Sequence, residues 1–474
     1  MPNKDSKFVG IQISPVSFID EGVAPLLDLL QGRFGINVLL IGTLSWLGLK
    51  VGRRISWELE GWPDHGRQEP YPLKGGSYIR SHAEYYRNTF IRDFDNTDPG
   101  LSGEDILAMV IPEARRRGMQ VYPEVMEPLF KYAGHGSANN VSIPNMPQVL
   151  EVDLLGRFGQ EPCINNPDYR TWWYSVIEDY CRNYDIDGVM WCNERRSPID
   201  NLLSGQVPNC FCPHCRREAH ERGIDVERVK AGFRELYGFI QAARRGQGFV
   251  DGAMIEFLRQ IYYNPEVLLW ERYWVERNKD MDRELYGIVK WCNSDLKFGL
   301  NVWNRNHFNP LRKAQWPWAE MAEWSDWVKP ITYQHQAGGV YTGEMNALHK
   351  SVLRDWTQQE LTPIMYKLLG LHEAPWDELV RTGMDPDTYV HGQCADAVAG
   401  VNGKVDVYMG IGVDAPRSRA DQAACTPDIV RRSVLATYRA GGKGVVFSPA
   451  YAGMNLATLD GAAQALKELG LLAA

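Results

Sequence analysis

The chain has 474 residues, 44% hydrophobic and 23% charged, with a net charge of −8. That is enough for one large core or two ordinary ones, and its dispersed basic residues offer no long-range attraction to a polyphosphate backbone, which argues against a nucleic-acid partner. The start, M-P-N-K-D-S-K-F-V, lacks an apolar signal region and no run reaches the ~18 apolar residues of a membrane span, so a cytoplasmic protein with no membrane partner is expected.

Short β-branched runs alternate with amphipathic stretches along the whole chain, the pattern of βα units with parallel strands. Eight strands are predicted, at 8–18, 37–46, 120–128, 187–193, 297–304, 328–336, 405–413 and 444–449. Helices are predicted near 21–32, at 102–118 with Ser102 as N-cap, at 167–184, near 342–357 and 427–440, and at 459–471. Residues 47–100 and 129–166 are long irregular segments, and loops of that length usually cover a site. Residues 216–293 are almost wholly helical in pattern. The prediction is therefore an α/β protein, a (β/α)8 TIM barrel with long loops and a helical insertion after strand 4. It is read as one catalytic barrel over 1–474, with the cysteine loop and insertion at 199–293. An open doubly wound sheet is the competitor, but I-S-P-V-S-F stands where a Gly-rich phosphate fingerprint would follow strand one.

Active sites of such barrels lie at the C-terminal strand ends. Those positions carry Ser14, Ser17, Ser45, Trp46, Glu124, Glu127, Asn193, Glu194, Trp303, Asn304, Tyr333, His335, Asp414, Ser448 and Tyr451. This set is polar, aromatic and rich in carboxylates, as a carbohydrate or polyol site requires. Trp46, Asn193, Trp303, Asn304, Tyr333 and His335 are the expected sugar contacts.

Glycoside hydrolysis needs one carboxylic acid to protonate the leaving oxygen and a second carboxylate to attack or to activate water. Glu194 comes just after the apolar run V-M-W-C and Asn193, where partial desolvation would suit a general acid. The blander reading pairs it with Arg195 or Arg196. For the second carboxylate, Asp414 after strand seven and Glu124 on strand three rank level. Glu127 is a rival of Glu124, but regular pleating sends one of these two away from the pore.

Nine cysteines, three of them in Cys210-Phe-Cys212-Pro-His-Cys215, favour a metal site over a disulfide framework. Closed tetrahedral zinc needs four ligands, and Cys163 is the best fourth, with His214 an alternate. The competing reading is a set of buried free thiols. A structural zinc and no organic cofactor are expected.

The run C-I-N-N-P-D-Y-R, a helix, D-G-V-M-W-C-N-E, and then C-F-C-P-H-C resembles the catalytic barrel of glycoside hydrolase family 42 β-galactosidases and related clan A proteins over residues 160–216. The resemblance implies Glu194 as acid/base, Asn193 as its substrate-binding neighbour, and Cys163, Cys210, Cys212 and Cys215 as zinc ligands. It also implies a nucleophilic glutamate after strand seven, where this chain has G-I-G-V-D-A-P. The expected function is cleavage of a glycosidic bond in an oligosaccharide or small glycoside. Two alternatives stand beside it: a sugar-binding barrel without turnover, and a non-hydrolytic acid/base enzyme acting on a sugar acid or polyol, using His82 or His335. The sequence is compatible with a homo-oligomer.

Overall fold

The computed structural model describes residues 8–45, 61–67, 76–91, 101–127, 145–417 and 420–473. Eight parallel strands form its centre: β1 (Phe8–Ile13), β2 (Val38–Ser45), β3 (Gln120–Glu127), β4 (Gly188–Asn193), β5 (Lys297–Val302), β6 (Trp327–Thr332), β7 (Asp406–Gly412) and β8 (Gly444–Ser448). Each pairs in parallel with its sequence neighbours, and β8 pairs with β1 to close the barrel. This is the (β/α)8 architecture expected from the alternating pattern.

The strands alternate inward and outward residues, and the inward set divides into levels. At the N-terminal end, Phe8, Val38, Leu40, Tyr122, Met190, Trp327 and Val446 form a separate apolar plug. Gly299 admits the Trp327 ring, since a Cβ there would lie 2.0 Å from it. A filled apolar floor leaves the opposite end of the barrel as the place for a site. Above the plug the inward residues turn polar: Gln12, Glu124, Cys192, Asn301 and Lys329, all buried. The β5–β6 and β4–β5 registers put Lys329 beside Asn301 and Asn301 beside Cys192.

The predicted insertion after β4 is present as five helices, Pro198–Leu203, Pro213–Glu221, Val226–Arg244, Ala253–Tyr263 and Glu266–Cys292. Several boundaries differ from expectation. The first strand stops at Ile13, because Ser14 and Pro15 open a helix with proline in its first turn. Pro15–Glu21 thus replaces the end of the predicted strand, and Gly22, at φ 76°, separates it from Val23–Phe34, the helix predicted near 21–32. The sixth strand stops at Thr332, and Gln334–His349 is helical, burying Ala337, Gly338, Tyr341 and Met345 at helical spacing. Four helical segments that the sequence reading did not place, Gln358–Leu369, Trp376–Thr382, Pro386–Val390 and His391–Val401, follow before β7. Within 129–166, Leu150–Val152 and Phe158–Pro162 pair as an antiparallel hairpin. Among the described residues no helix is long and apolar enough to cross a membrane.

Candidate active site

Glu194 follows β4 and shares its inward parity with Met190 and Cys192, so it stands at the C-terminal mouth. It is half-buried. Neither neighbouring arginine pairs with it. Arg195 donates from Nε to Glu127 Oε2 at 2.5 Å and from Nη1 to Glu151 Oε1 at 3.0 Å. Arg196 donates from Nη2 to Glu344 Oε1 at 2.9 Å. What Glu194 does receive is the Cys192 thiol, which donates to Oε1 at 3.3 Å.

Two more arginines face Glu194 electrostatically, Arg305 and Arg312, and both lie over the Trp303 ring, at 5.0 and 4.6 Å from its centroid. Arg305 pairs with Glu344, and burial together with the charge of Arg196 pushes its pKa down to about 10. Arg312 bonds Asp200 Oδ2 at 3.2 Å and the Arg195 carbonyl at 2.7 Å. Asn309 ties the cluster together, donating to Asp200 at 3.0 Å and to Glu344 at 3.3 Å. A cationic rim with one aromatic face thus borders the glutamate. These arginines, Asp200 and Glu344 were missed by reading strand ends, because they sit on the helices that follow β4, β5 and β6.

The other sequence-derived residues separate into groups. Glu124 points into the barrel, buried, and accepts from Gln12 Nε2 at 2.6 Å. Glu127 takes the outward direction that pleating requires and bonds Tyr169 Oη at 2.7 Å as well as Arg195. Asp414 adopts a left-handed φ of 47°, and its carboxylate accepts from the Asn455 backbone at 2.7 Å and from Thr458 Oγ1 at 3.4 Å, against the start of the Leu456–Glu468 helix. His335 lies in the first turn of Gln334–His349, with Nε2 against the Ala415 carbonyl at 3.1 Å. Tyr333 caps that helix, half-buried, and Asn304 is buried beside Trp303. Asn193, of opposite parity to Glu194, lines a small cleft with Asp282, Trp303, Asn306, Arg312 and Trp316. Burial pushes Asp282 up to about 7, and Trp191 donates to it at 2.7 Å. Trp46 lies outside the described residues. His82 Nδ1 lies 2.7 Å from Asp179 Oδ1, on the helix Pro167–Asn183 that precedes β4.

The sulfurs of Cys163, Cys210, Cys212 and Cys215 are all buried and within 4.8 Å of one another, a set that could hold a metal ion. Backbone amides point at two of them, Val152 N–H to Cys210 and Asn165 N–H to Cys163, each at 3.3 Å. The Asn165 side chain donates to Cys215 at 3.3 Å. Such N–H···S bonds suit thiolates in a closed metal site. The hairpin, the loop before Pro167–Asn183 and the start of Pro213–Glu221 converge there.

No family model matches the chain, and no curated protein matches its sequence. Solved structures do. A β-galactosidase from the psychrophilic Marinomonas ef1 is similar with a TM-score of 0.51 at 12% identity, over 98% of this chain and 59% of that one. An α-L-fucosidase from Paenibacillus thiaminolyticus aligns at a TM-score of 0.47 and 12% identity, over 98% and 49%. The PgaB (BpsB) glycoside hydrolase domain from Bordetella bronchiseptica aligns at 0.47 and 11%, over 94% of each chain. This chain thus spans about half to three-fifths of the first two proteins, and the likeness to the Marinomonas enzyme establishes the shared barrel fold.

Proposed function

We propose that this chain is a glycoside hydrolase in which Glu194 is the general acid/base and Glu124 the second carboxylate. The observation that carries the reading is Glu194 itself. It stands at the C-terminal mouth of a closed barrel, and both arginines that follow it are engaged elsewhere. Glu124 is preferred to Asp414 because it points into the barrel, whereas Asp414 faces the start of the last helix. Asn304 and Tyr333, at the ends of β5 and β6, offer polar groups for a sugar's hydroxyls, while the Trp303 ring lies under Arg305 and Arg312. His335 supports the β7 loop through the Ala415 carbonyl. The four cysteines hold a structural zinc that pins the hairpin to the insertion; four thiolates leave no open position for catalysis.

The Asp414 geometry favours one further reading, a barrel that binds carbohydrate without cleaving it. A panel of 4-methylumbelliferyl glycosides, with a matched series of reducing-end-labelled oligosaccharides, separates the two. Release of fluorophore or of shorter labelled products by the wild type supports hydrolysis. Quenching of tryptophan fluorescence by a sugar that is never cleaved supports binding alone.

A further inference from the structure

Lys329 is fully buried inside the barrel, where an ammonium group is costly unless it is held on several sides. Its Nζ donates to Gln12 Oε1 and to Asn301 Oδ1, each at 2.9 Å. Room for its stem comes from β7, where a Cβ on Gly410 would lie 2.9 Å from Lys329 Cε.

The bonds continue in both directions from this cation. Gln12 Nε2 donates to Glu124 Oε1 at 2.6 Å. Asn301 Nδ2 donates to Cys192 Sγ at 2.8 Å, and the Cys192 thiol donates to Glu194 Oε1 at 3.3 Å. An ammonium group only donates, so it fixes which end of each amide it meets. With both amide oxygens on Lys329, the Gln12 nitrogen must face Glu124 and the Asn301 nitrogen must face Cys192. The thiol, accepting from Asn301, is left to donate to Glu194.

We infer that Lys329 is a positioning residue for both carboxylates, acting on Glu124 through Gln12 and on Glu194 through Asn301 and Cys192. The inference rests on the reading of Glu194 as the acid/base. It assigns no contact with substrate to Lys329 or Cys192. Other charges act on Glu194 as well: Arg305 and Arg312 face it from beyond β5, with Arg196, Asp200 and Glu344 completing that side. These stay in place in every variant below.

The test follows the carboxylates directly in the whole chain labelled with [δ-13C]glutamate, the Glu194 and Glu124 signals being assigned by their loss in Glu194→Gln and Glu124→Gln. In Cys192→Ala the lost donor leaves the ionised carboxylate less well held, so Glu194 titrates about half a pKa unit or more above wild type while Glu124 does not move. In Cys192→Ser a hydroxyl donor restores the wild-type value or lowers it. In Lys329→Met both carboxylates titrate higher. Should Lys329→Met fail to fold, Asn301→Leu cuts only the branch toward Glu194 and raises only that group. Identical titration of Glu194 in wild type, Cys192→Ala and Asn301→Leu overturns the inference. Hydrolysis by Glu194→Gln is scored separately. An inactive Glu194→Gln with unmoved titrations sinks only the relay, and a fully active one with moved titrations sinks only the assignment of Glu194.

Discussion

Arg195 follows Glu194 in the chain, yet its guanidinium faces away from the mouth and donates from Nε to Glu127 Oε2 at 2.5 Å, with both side chains almost fully shielded from water. One cation there serves Glu127, Glu151 and, at 3.7 Å, Glu161. Removing it strands buried carboxylates, and breaking a buried pair from one side costs about 3–5 kcal/mol. Arg195→Met is expected to lose that much stability in urea denaturation. A loss below about 1 kcal/mol would mean the network does not hold the hairpin.

Stability also depends on carboxylates that burial keeps protonated. Glu271 is pushed up to about 7, as Asp282 is. A carboxyl raised in the folded state adds stability that is full below its ordinary range near 4.5 and is lost as pH rises through about 7. Glu271→Gln never charges, so its urea midpoint should gain on the wild type between pH 5 and pH 8. His307 has the opposite sign: burial pushes it down to about 3, so its contribution is full above about 6.5 and is lost as pH falls. A gap between wild type and Glu271→Gln that is constant with pH would contradict the buried-acid account.

The cysteine cluster makes a compositional prediction. Purified wild-type protein should carry about one zinc per chain by elemental analysis, and Cys212→Ser should carry little and melt at lower temperature, since binding energy at a structural site is folding energy. Wild-type protein free of zinc after expression in zinc-supplemented medium would leave the cluster as four packed thiols.

Asp414 and Glu124 are separated by conservative amides. Asp414→Asn keeps acceptor capacity toward the Asn455 amide, so it should retain turnover and lose less than about 1 kcal/mol of stability. Glu124→Gln should lose turnover by orders of magnitude while folding normally. The reverse outcome would make Asp414 the second carboxylate.

The barrel was legible because β-branched runs recur with helical stretches between them, a signal carried by many residues at once. Two features of the candidate site were legible at single positions: the place of Glu194 at the barrel mouth, from its position just after β4, and the clustering of the four cysteines, from their spacing. Lys329, Gln12 and Asn301 went unread for a physical reason. Each is a polar residue within an apolar strand, W-V-K-P-I-T, F-V-G-I-Q-I and K-F-G-L-N-V, and their common level depends on the register of strands distant in sequence. A search of strand interiors for isolated polar residues, alongside strand ends, would have found them. Arg305 and Glu344 lie on helices after β5 and β6, and their meeting depends on side-chain reach that no local pattern encodes. The extent of the sixth strand was overread because the β-favouring Thr332 and Tyr333 prolong the run V-K-P-I, while the helical spacing of the buried residues after them decides the boundary.

The assignment of Glu194 is tested most directly by the leaving-group dependence of Glu194→Gln, measured on the best aryl glycoside from the panel. General acid catalysis contributes roughly 10²–10⁴-fold, and most where the leaving group is poor. The variant is predicted to lose about that factor on a poorly activated glycoside and far less on a dinitrophenyl one, with an unchanged melting temperature. Wild-type rates on both substrates would contradict the account.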